Sequence, residues 1–591
     1  MNSNPPFGPQ GQEIFERTYS RLKADGTNET WADMVQRVVD GNLALVAPGH
    51  ALVGEREALL ELVGNMKLLP AGRHLWTSGV PGRQFNRNCH RAGWTERLSE
   101  HFAFMFDQLM LGGGVGANYS EATSVLEPTC LAVTIVVDGV RERGAPLRGF
   151  GGTASGPGPL VDALRKMVAL LNVAHGRRIT GLEAMAIDHA IAQCVVAGNI
   201  RRSARMSIMH WADPDIFDFI ACKADFTDHW TTNISVEVDD AYFAALAGNE
   251  WHATAVSEAV LDGMVANGEP GFFNSSLASE GEHSDVRCTN PCGEIALNEW
   301  ESCNLGHVNL AAYDPDDIHG IAAGFTLMAR FLVRATFAEL LDPKQAAVEA
   351  ANRRIGVGIL GFQEWLGRMG IRYSEAASSG LVAGQLAGMK AAAIAAADKY
   401  ADSLGIPRPI KHTTVAPTGT VAKLAGVTEG IHPIYSRYFV RRVRYADGSE
   451  SLAKLVAQGY ETEACIYNPE TTVVLFHVRD PLLNVVDASL VEQADDLSVA
   501  EKLAVQAAVQ KHFADNAVSY TVNMADTTTA DELELGLAEF LPVLKGTTVF
   551  PANSRPQSPY TAITAAEYDA AADHSVAQAF DECASGACPI R

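Results

Sequence analysis

The chain has 591 residues, 47% of them hydrophobic, and a formal net charge of −24. That length and apolar content can bury a large core, as one big domain or two closely joined ones. The negative charge argues against a long groove for DNA or RNA as polymers, although local N–H groups and arginines can still hold a small anionic substrate.

The first residues, MNSNPPFGPQGQ, are polar and rich in Pro and Gly, so no secretory leader is expected. No stretch holds eighteen consecutive apolar residues, and a soluble, cytoplasmic chain without a membrane span is expected. Residues 1–70 read as helical. FERTYSRL, WADMVQRVVDGNLAL and EREALLELVGNM carry apolar residues three and four apart. These helices are expected to run straight into a catalytic body over 71–560. There, short strand-like runs alternate with helical ones. Candidate strands are HFAFMF, ARMSIMH, TNISVEV, NLGHVNL, TTVVLFHV and NAVSYTV. Candidate helices are PLVDALRKMVALLN, LEAMAIDHAIAQCVVAG and the Ala-rich stretch 380–404. The alternation predicts an α/β fold, barrel or doubly wound. Residues 561–591 turn Ala- and Asp-rich and end in DECASGACPIR, which reads as a mobile tail.

Ten cysteines stand at 89, 130, 194, 222, 288, 292, 303, 465, 583 and 588. In a large cytoplasmic protein such a set points to redox or catalytic chemistry more than to structural bridges. The most informative string is Thr289-Asn290-Pro291-Cys292-Gly293-Glu294, followed by Cys303-Asn304-Leu305. Pro and Gly around Cys292 make a tight loop that displays an amide, a thiol and a carboxylate at alternate positions. Taken alone, the string is equally compatible with a turn around a buried cysteine.

Asn-Pro-Cys-Gly-Glu followed by Cys-Asn-Leu-Gly resembles the active-site finger loop of ribonucleotide reductases. LLPAGRHLWTSG leading to Cys89, LMLGGGVGANYS at 109–120, GFGGTASGPGPL at 149–160 and VVAGNIRRSA at 195–204 match the family in order. NGEPGFFN, NRRIGVGILGF, APTGTVAKLAGVTEGIHP, DNAVSYTV and LKGTTVFP continue the match. The resemblance implies a ten-stranded β/α barrel with the finger loop threaded through it. It implies that Cys292 forms a thiyl radical, that Glu294 is the base on the substrate 3'-hydroxyl, and that Asn290 hydrogen-bonds the substrate hydroxyls. Cys89 and Cys303 would end as a disulfide, the pair meeting across the barrel. Cys583 and Cys588 would be a swinging dithiol that re-reduces it and is itself reduced by thioredoxin or a similar protein. A zinc site needs four ligands and the tail offers two cysteines, so no metal is expected on protein side chains. Thr418, Gly419 and Thr420 would bind substrate phosphate; read without the family, that turn is a plain helix cap. Cys130, Cys194, Cys222, Cys288 and Cys465 receive no role.

Three radical generators are known in the family. Leu544-Lys545 leads to Thr548-Val549-Phe550 with no tyrosine pair, and the tail matches no glycyl-radical loop. The branch left is the adenosylcobalamin-dependent one. Thr-Ala-Ser-Gly-Pro, Val-Thr-Glu-Gly-Ile-His and CASGACPIR are most similar to its monomeric, triphosphate-reducing members. Asp-x-His-x-x-Gly is lacking, so no histidine is expected to replace the cofactor's own base. The stretch from Tyr119 to Arg143 reads as too short for the effector-binding insertion of those members. A monomer or homodimer is expected, with no ATP-cone-like segment at the N-terminus. The alternatives are a large subunit that needs a separate metal subunit, and a nucleotide-binding thiol-redox protein without a radical step.

Overall fold

A computed structural model describes residues 5–571 except 82–85, 123–131, 146–153, 175, 198–200, 226–227, 449, 467–470, 526, 552–556 and 559. Cys130, Cys583 and Cys588 lie outside the described residues.

The N-terminal region is helical over Trp31–Leu43 and Glu55–Gly64 and ends in the strand Leu68–Pro70. Thr30 starts the first of these helices as a capping box. Its hydroxyl accepts from Asp33 N, and the Asp33 carboxylate accepts from Thr30 N. Met34, Val35, Val38 and Val39 form the buried stripe that the spacing predicts. These elements are fastened to the helix Ile318–Ala335. Asn42 donates to the Phe331 carbonyl at 2.9 Å, and Glu55 takes Arg330 and Arg334 at 2.7 and 2.8 Å. Ile318–Ala335 and Gly380–Leu404 are long and apolar enough in composition to cross a membrane. They pack on each other, and the first carries its two arginines into a buried ion pair, as suits a core helix.

The strands Cys89–Arg91, Gly114–Asn118, Ala204–His210, Thr232–Val238 and Gly271–Asn274 run parallel, each beside the next. Gly271–Asn274 then pairs antiparallel with Gly546–Pro551, which is parallel to Thr521–Met524. Single parallel bridges, Val415↔Val518 and Val357↔Thr413, carry the order on to Gly356–Leu360. That strand pairs in parallel with Leu305–Asn309. An antiparallel bridge, His90↔Ser302, returns to the first strand. Two blocks of parallel strands thus face opposite ways and meet at two antiparallel seams, with helices outside. This is the α/β barrel that the strand–helix alternation allowed.

Three expectations need correction. HFAFMF is not a strand but part of the helix Leu98–Met110. Its local alternation is overridden by His101, Phe104, Met105, Gln108 and Leu109, which are buried at helical spacing. TTVVLFHV is a strand, Thr471–Arg479, but lies outside the barrel. It belongs to a four-stranded antiparallel sheet with Thr462–Ala464, Tyr438–Ala446 and Tyr560–Ala562. That sheet has its own small core of Val443, Tyr445, Leu452, Leu455, Val474 and Phe476. A mobile tail from residue 561 is also too early. Tyr560–Ala562 pairs with Phe439–Arg441, and a helix follows at Ala565–Ala570, whose Tyr568 ring lies 5.2 Å from Tyr438.

Candidate active site

The finger loop is a narrow excursion whose two arms are bonded to each other. Leu297 N donates to the Cys288 carbonyl and Asn290 N to the Ile295 carbonyl, at 3.0 and 3.1 Å. Gly293 makes the turn at the tip with φ +79 and donates to the Asn290 carbonyl. The Asn290 side-chain oxygen accepts from Ile295 N at 3.1 Å. That bond fixes the amide plane and leaves Nδ2 buried without a hydrogen-bond partner among the described residues. The Glu294 carbonyl is held by Ala517 N and by the Thr414 hydroxyl at 2.9 and 2.7 Å.

The Gly-rich strand Gly114–Asn118 explains how the loop fits. A Cβ on Gly116 would overlap the Thr289 carbonyl, and one on Gly114 would stand 2.8 Å from Pro291 Cγ. The loop therefore lies against bare backbone on this side.

The structure gathers the three cysteines that the sequence singled out. Cys89 opens the first barrel strand, and Cys303 lies just before Leu305–Asn309. Both are buried, among Ile295, Leu297, Leu305 and Ala416. Cys303 N donates to the Cys89 carbonyl at 2.9 Å. The two thus sit on neighbouring strands at the closing seam, not on opposite walls as expected, because the seam itself brings the two blocks together. The Cys292 side chain is exposed at the loop tip. Hydrogen-bonding contact with Cys89, then desolvation and the nearby Glu294, hold the Cys292 thiol well above the usual range. The same contact with Cys89, then burial, raises Cys303. Cys292 and Cys303 stay protonated at neutral pH. Burial first, then the adjacent Cys89, pushes Glu294 up to about 8. Glu294 Oε2 is buried and, like Asn290 Nδ2, has no hydrogen-bond partner among the described residues. Two buried polar atoms left open on one loop, beside a thiol, are the mark of a site shaped for a polar ligand.

The Ala416–Thr420 turn follows directly on the Thr413–Val415 segment that braces Glu294. Thr418 caps the helix Gly419–Ala425 in the left-handed region, φ +57, and its hydroxyl accepts from Gly430 N at 2.8 Å. The turn is thus tied by backbone to the finger loop.

With this geometry in view, the relatives are decisive. A Mycobacterium phage D29 protein described as an adenosylcobalamin-dependent ribonucleoside-triphosphate reductase is 43% identical over 687 aligned positions, covering 99% of each chain. This chain belongs to the adenosylcobalamin-dependent ribonucleotide reductases. The Levilactobacillus brevis adenosylcobalamin-dependent ribonucleoside-triphosphate reductase is 30% identical, covering 99% of this chain and 97% of that one. The crystal structure of a B12-dependent (class II) ribonucleotide reductase superposes with a TM-score of 0.79 at 28% identity, covering 96% of this chain and 94% of that one. An Actinobacillus ureae class Id alpha subunit shares the fold, with a TM-score of 0.64 at 15% identity.

The sequence also matches the ribonucleotide reductase alpha domain over 1–80 and the barrel domain over 247–411 and 408–539. Residues 124–171 match the insertion domain of B12-dependent ribonucleotide reductases. That overturns the reading of this region as too short for the insertion. The match runs on past Arg143 into the helix Gly158–Ala174, which a strand–helix reading assigned to the barrel. Sequence reasoning also passed over Arg91 and Asn118, which hold the arms of this reductase's finger loop. Their polar character inside buried strands was the available signal.

Proposed function

We propose that this chain reduces ribonucleotides to 2'-deoxyribonucleotides by thiyl-radical chemistry, with triphosphates as substrates, as the names of its relatives indicate. What carries the reading is one arrangement. An exposed, protonated thiol at the loop tip touches Cys89, which is paired with Cys303, while Asn290 and Glu294 present open polar atoms from the same loop.

Adenosylcobalamin, when bound, would supply a hydrogen-atom acceptor. The exposed Cys292 S–H is the group in this chain that fits such an acceptor. A hydrogen atom leaves the Cys292 thiol, and the resulting sulfur radical takes the 3'-hydrogen of the ribose. Glu294, as carboxylate, accepts the 3'-hydroxyl proton, and Asn290 Nδ2 donates to a substrate oxygen. The 2'-hydroxyl leaves as water. Cys89 and Cys303 give up two hydrogens and form one S–S bond, so substrate and dithiol become deoxynucleotide, water and disulfide. Returning that hydrogen to C3' leaves Cys292 as the sulfur radical once more, and the thiol is restored when the first hydrogen atom comes back from the acceptor that took it. Thr418, Gly419 and Thr420 bind the phosphates. Cys583 and Cys588 exchange with the Cys89–Cys303 disulfide and are reduced by thioredoxin or a similar dithiol protein. We assign the chain to the cytoplasm, as a monomer or homodimer.

The test is nucleotide reduction by the purified chain with a small dithiol, with and without adenosylcobalamin. Turnover is expected only with the cofactor, and none in Cys292→Ala. Turnover in the variant, or equal turnover without the cofactor, overturns the reading.

A further inference from the structure

The two arms of the finger loop leave the barrel wall at Arg287 and return at Leu297, and each is gripped by a buried polar side chain. Asn118 Nδ2 donates to the Arg287 carbonyl at 2.7 Å and to Glu237 Oε2 at 2.7 Å. Glu237 also takes the Arg287 guanidinium at 2.8 Å. Arg91 donates to the Leu297 carbonyl at 2.7 Å on the returning arm. Its other terminal nitrogen pairs with Glu121 at 2.5 Å. Asn118, Arg91 and Glu237 are all buried. Asn118 further accepts from Ser120 N at 3.0 Å, so residues 118–121 form one bonded corner.

We propose that Asn118 and Arg91 are positioning residues for the finger loop, and that Glu121 positions Arg91 for that hold. This rests on the reading of Cys292, Asn290 and Glu294 as the reacting loop. Displacing residue 121 shifts the Arg91 guanidinium, which carries the Leu297 carbonyl and the returning arm with it. The Leu297–Cys288 and Asn290–Ile295 backbone bonds pass the shift to the tip. Glu121, Arg91 and Asn118 thereby set where Cys292 stands without touching substrate, because the two arms are bonded to each other and move together.

The variants are Glu121→Gln, which keeps shape and removes the charge at a half-buried site, and Arg91→Lys, which loses the two-pronged grip. Each is measured for kcat and KM with adenosylcobalamin, and for the alkylation rate of Cys292 by iodoacetamide without cofactor. Cys292 is the exposed cysteine among the described residues, and peptide mass analysis assigns the label. For both variants we expect kcat to fall on the order of tenfold to a hundredfold with KM nearly unchanged, as lost positioning does, and the alkylation rate to shift several-fold. The double variant should fall no further than the worse single one, since both cut the same link. Additive losses, or native alkylation rates in both variants, overturn the proposal. If Arg91→Lys fails to fold, Glu121→Gln alone decides it. Alkylation needs no turnover, so a chain that reduces no nucleotide would sink the reductase reading and still leave the clamp testable.

Discussion

The backbone N–H of Cys303 donates to the carbonyl of Cys89 at 2.9 Å, across the antiparallel bridge where the barrel closes. Residues opposed in this way have Cα atoms about 5.5 Å apart. A disulfide spans about 4.4–6.8 Å between Cα atoms, so this pair can oxidise without moving the wall. One turnover without reductant should therefore remove two titratable thiols per chain. In Cys89→Ala or Cys303→Ala no pair should be lost. Thiol titration after a single-turnover mix measures this. A loss of two thiols in either variant would mean that other cysteines supply the electrons.

Glu294, raised to about 8 by burial, holds its proton through neutral pH in the substrate-free protein. The base form grows as pH rises through that value, so kcat/KM should climb across the pH range around 8. This parameter reports the free enzyme. Glu294→Gln should lose turnover by roughly a hundredfold to ten-thousandfold, the usual worth of a positioned base, and should flatten the limb. A native profile already level from pH 6 upward would remove Glu294 from the role.

Glu55 behaves oppositely. Burial favours its neutral form, but Arg330 and Arg334 more than offset this and hold it at about 2. A carboxyl depressed when folded adds stability above its unfolded value, and that contribution fades as pH falls toward the folded one. Glu55→Gln, which leaves two buried arginines short of a partner, should cost about 3–5 kcal/mol near neutral pH. The gap to the native chain should narrow between pH 4.5 and about 2. Urea melts at several pH values would measure it, and a gap independent of pH would contradict the assignment.

Gly116→Ala tests the bare strand beneath the finger loop. The added methyl group meets the Thr289 carbonyl, which cannot rotate away. Overpacking of this kind costs about 1–3 kcal/mol. The loop should yield before the strand does, so turnover should drop far more than stability. Thermal melting and turnover on the same sample separate the two.

The finger loop was legible because its chemistry is local. Asn290, Cys292 and Glu294 fall within five residues, interleaved with Pro291 and Gly293, which dictate the turn. Periodicity found the helix Gly380–Leu404 and the strands Ala204–His210 and Thr232–Val238, where one pattern runs unbroken. It failed at His101–Phe106, where five or six residues alternate by chance inside a longer helix. The closing seam was invisible, since His90 and Ser302 are far apart in sequence and pair through a single bridge. So was the outer sheet, because Tyr560–Ala562 reaches back to Phe439–Arg441 across most of the second half of the barrel. The role of Gly116 needed the loop in place beside it.

The weakened acidity of the Cys303 thiol bears on how the oxidised site is emptied. In thiol–disulfide exchange the departing sulfur leaves as an anion, and a sulfur that resists ionisation is a poor leaving group. A Cys89–Cys303 bridge should be sluggish toward dilute external thiols. The dithiol proposed at Cys583 and Cys588, carried on the same polypeptide, would meet it at an effective concentration in the millimolar range or above, which would compensate for the slow departure. On the proposed chemistry, burial that keeps hydrogen on sulfur for the radical step would thus make delivery of the reductant a local, tethered event.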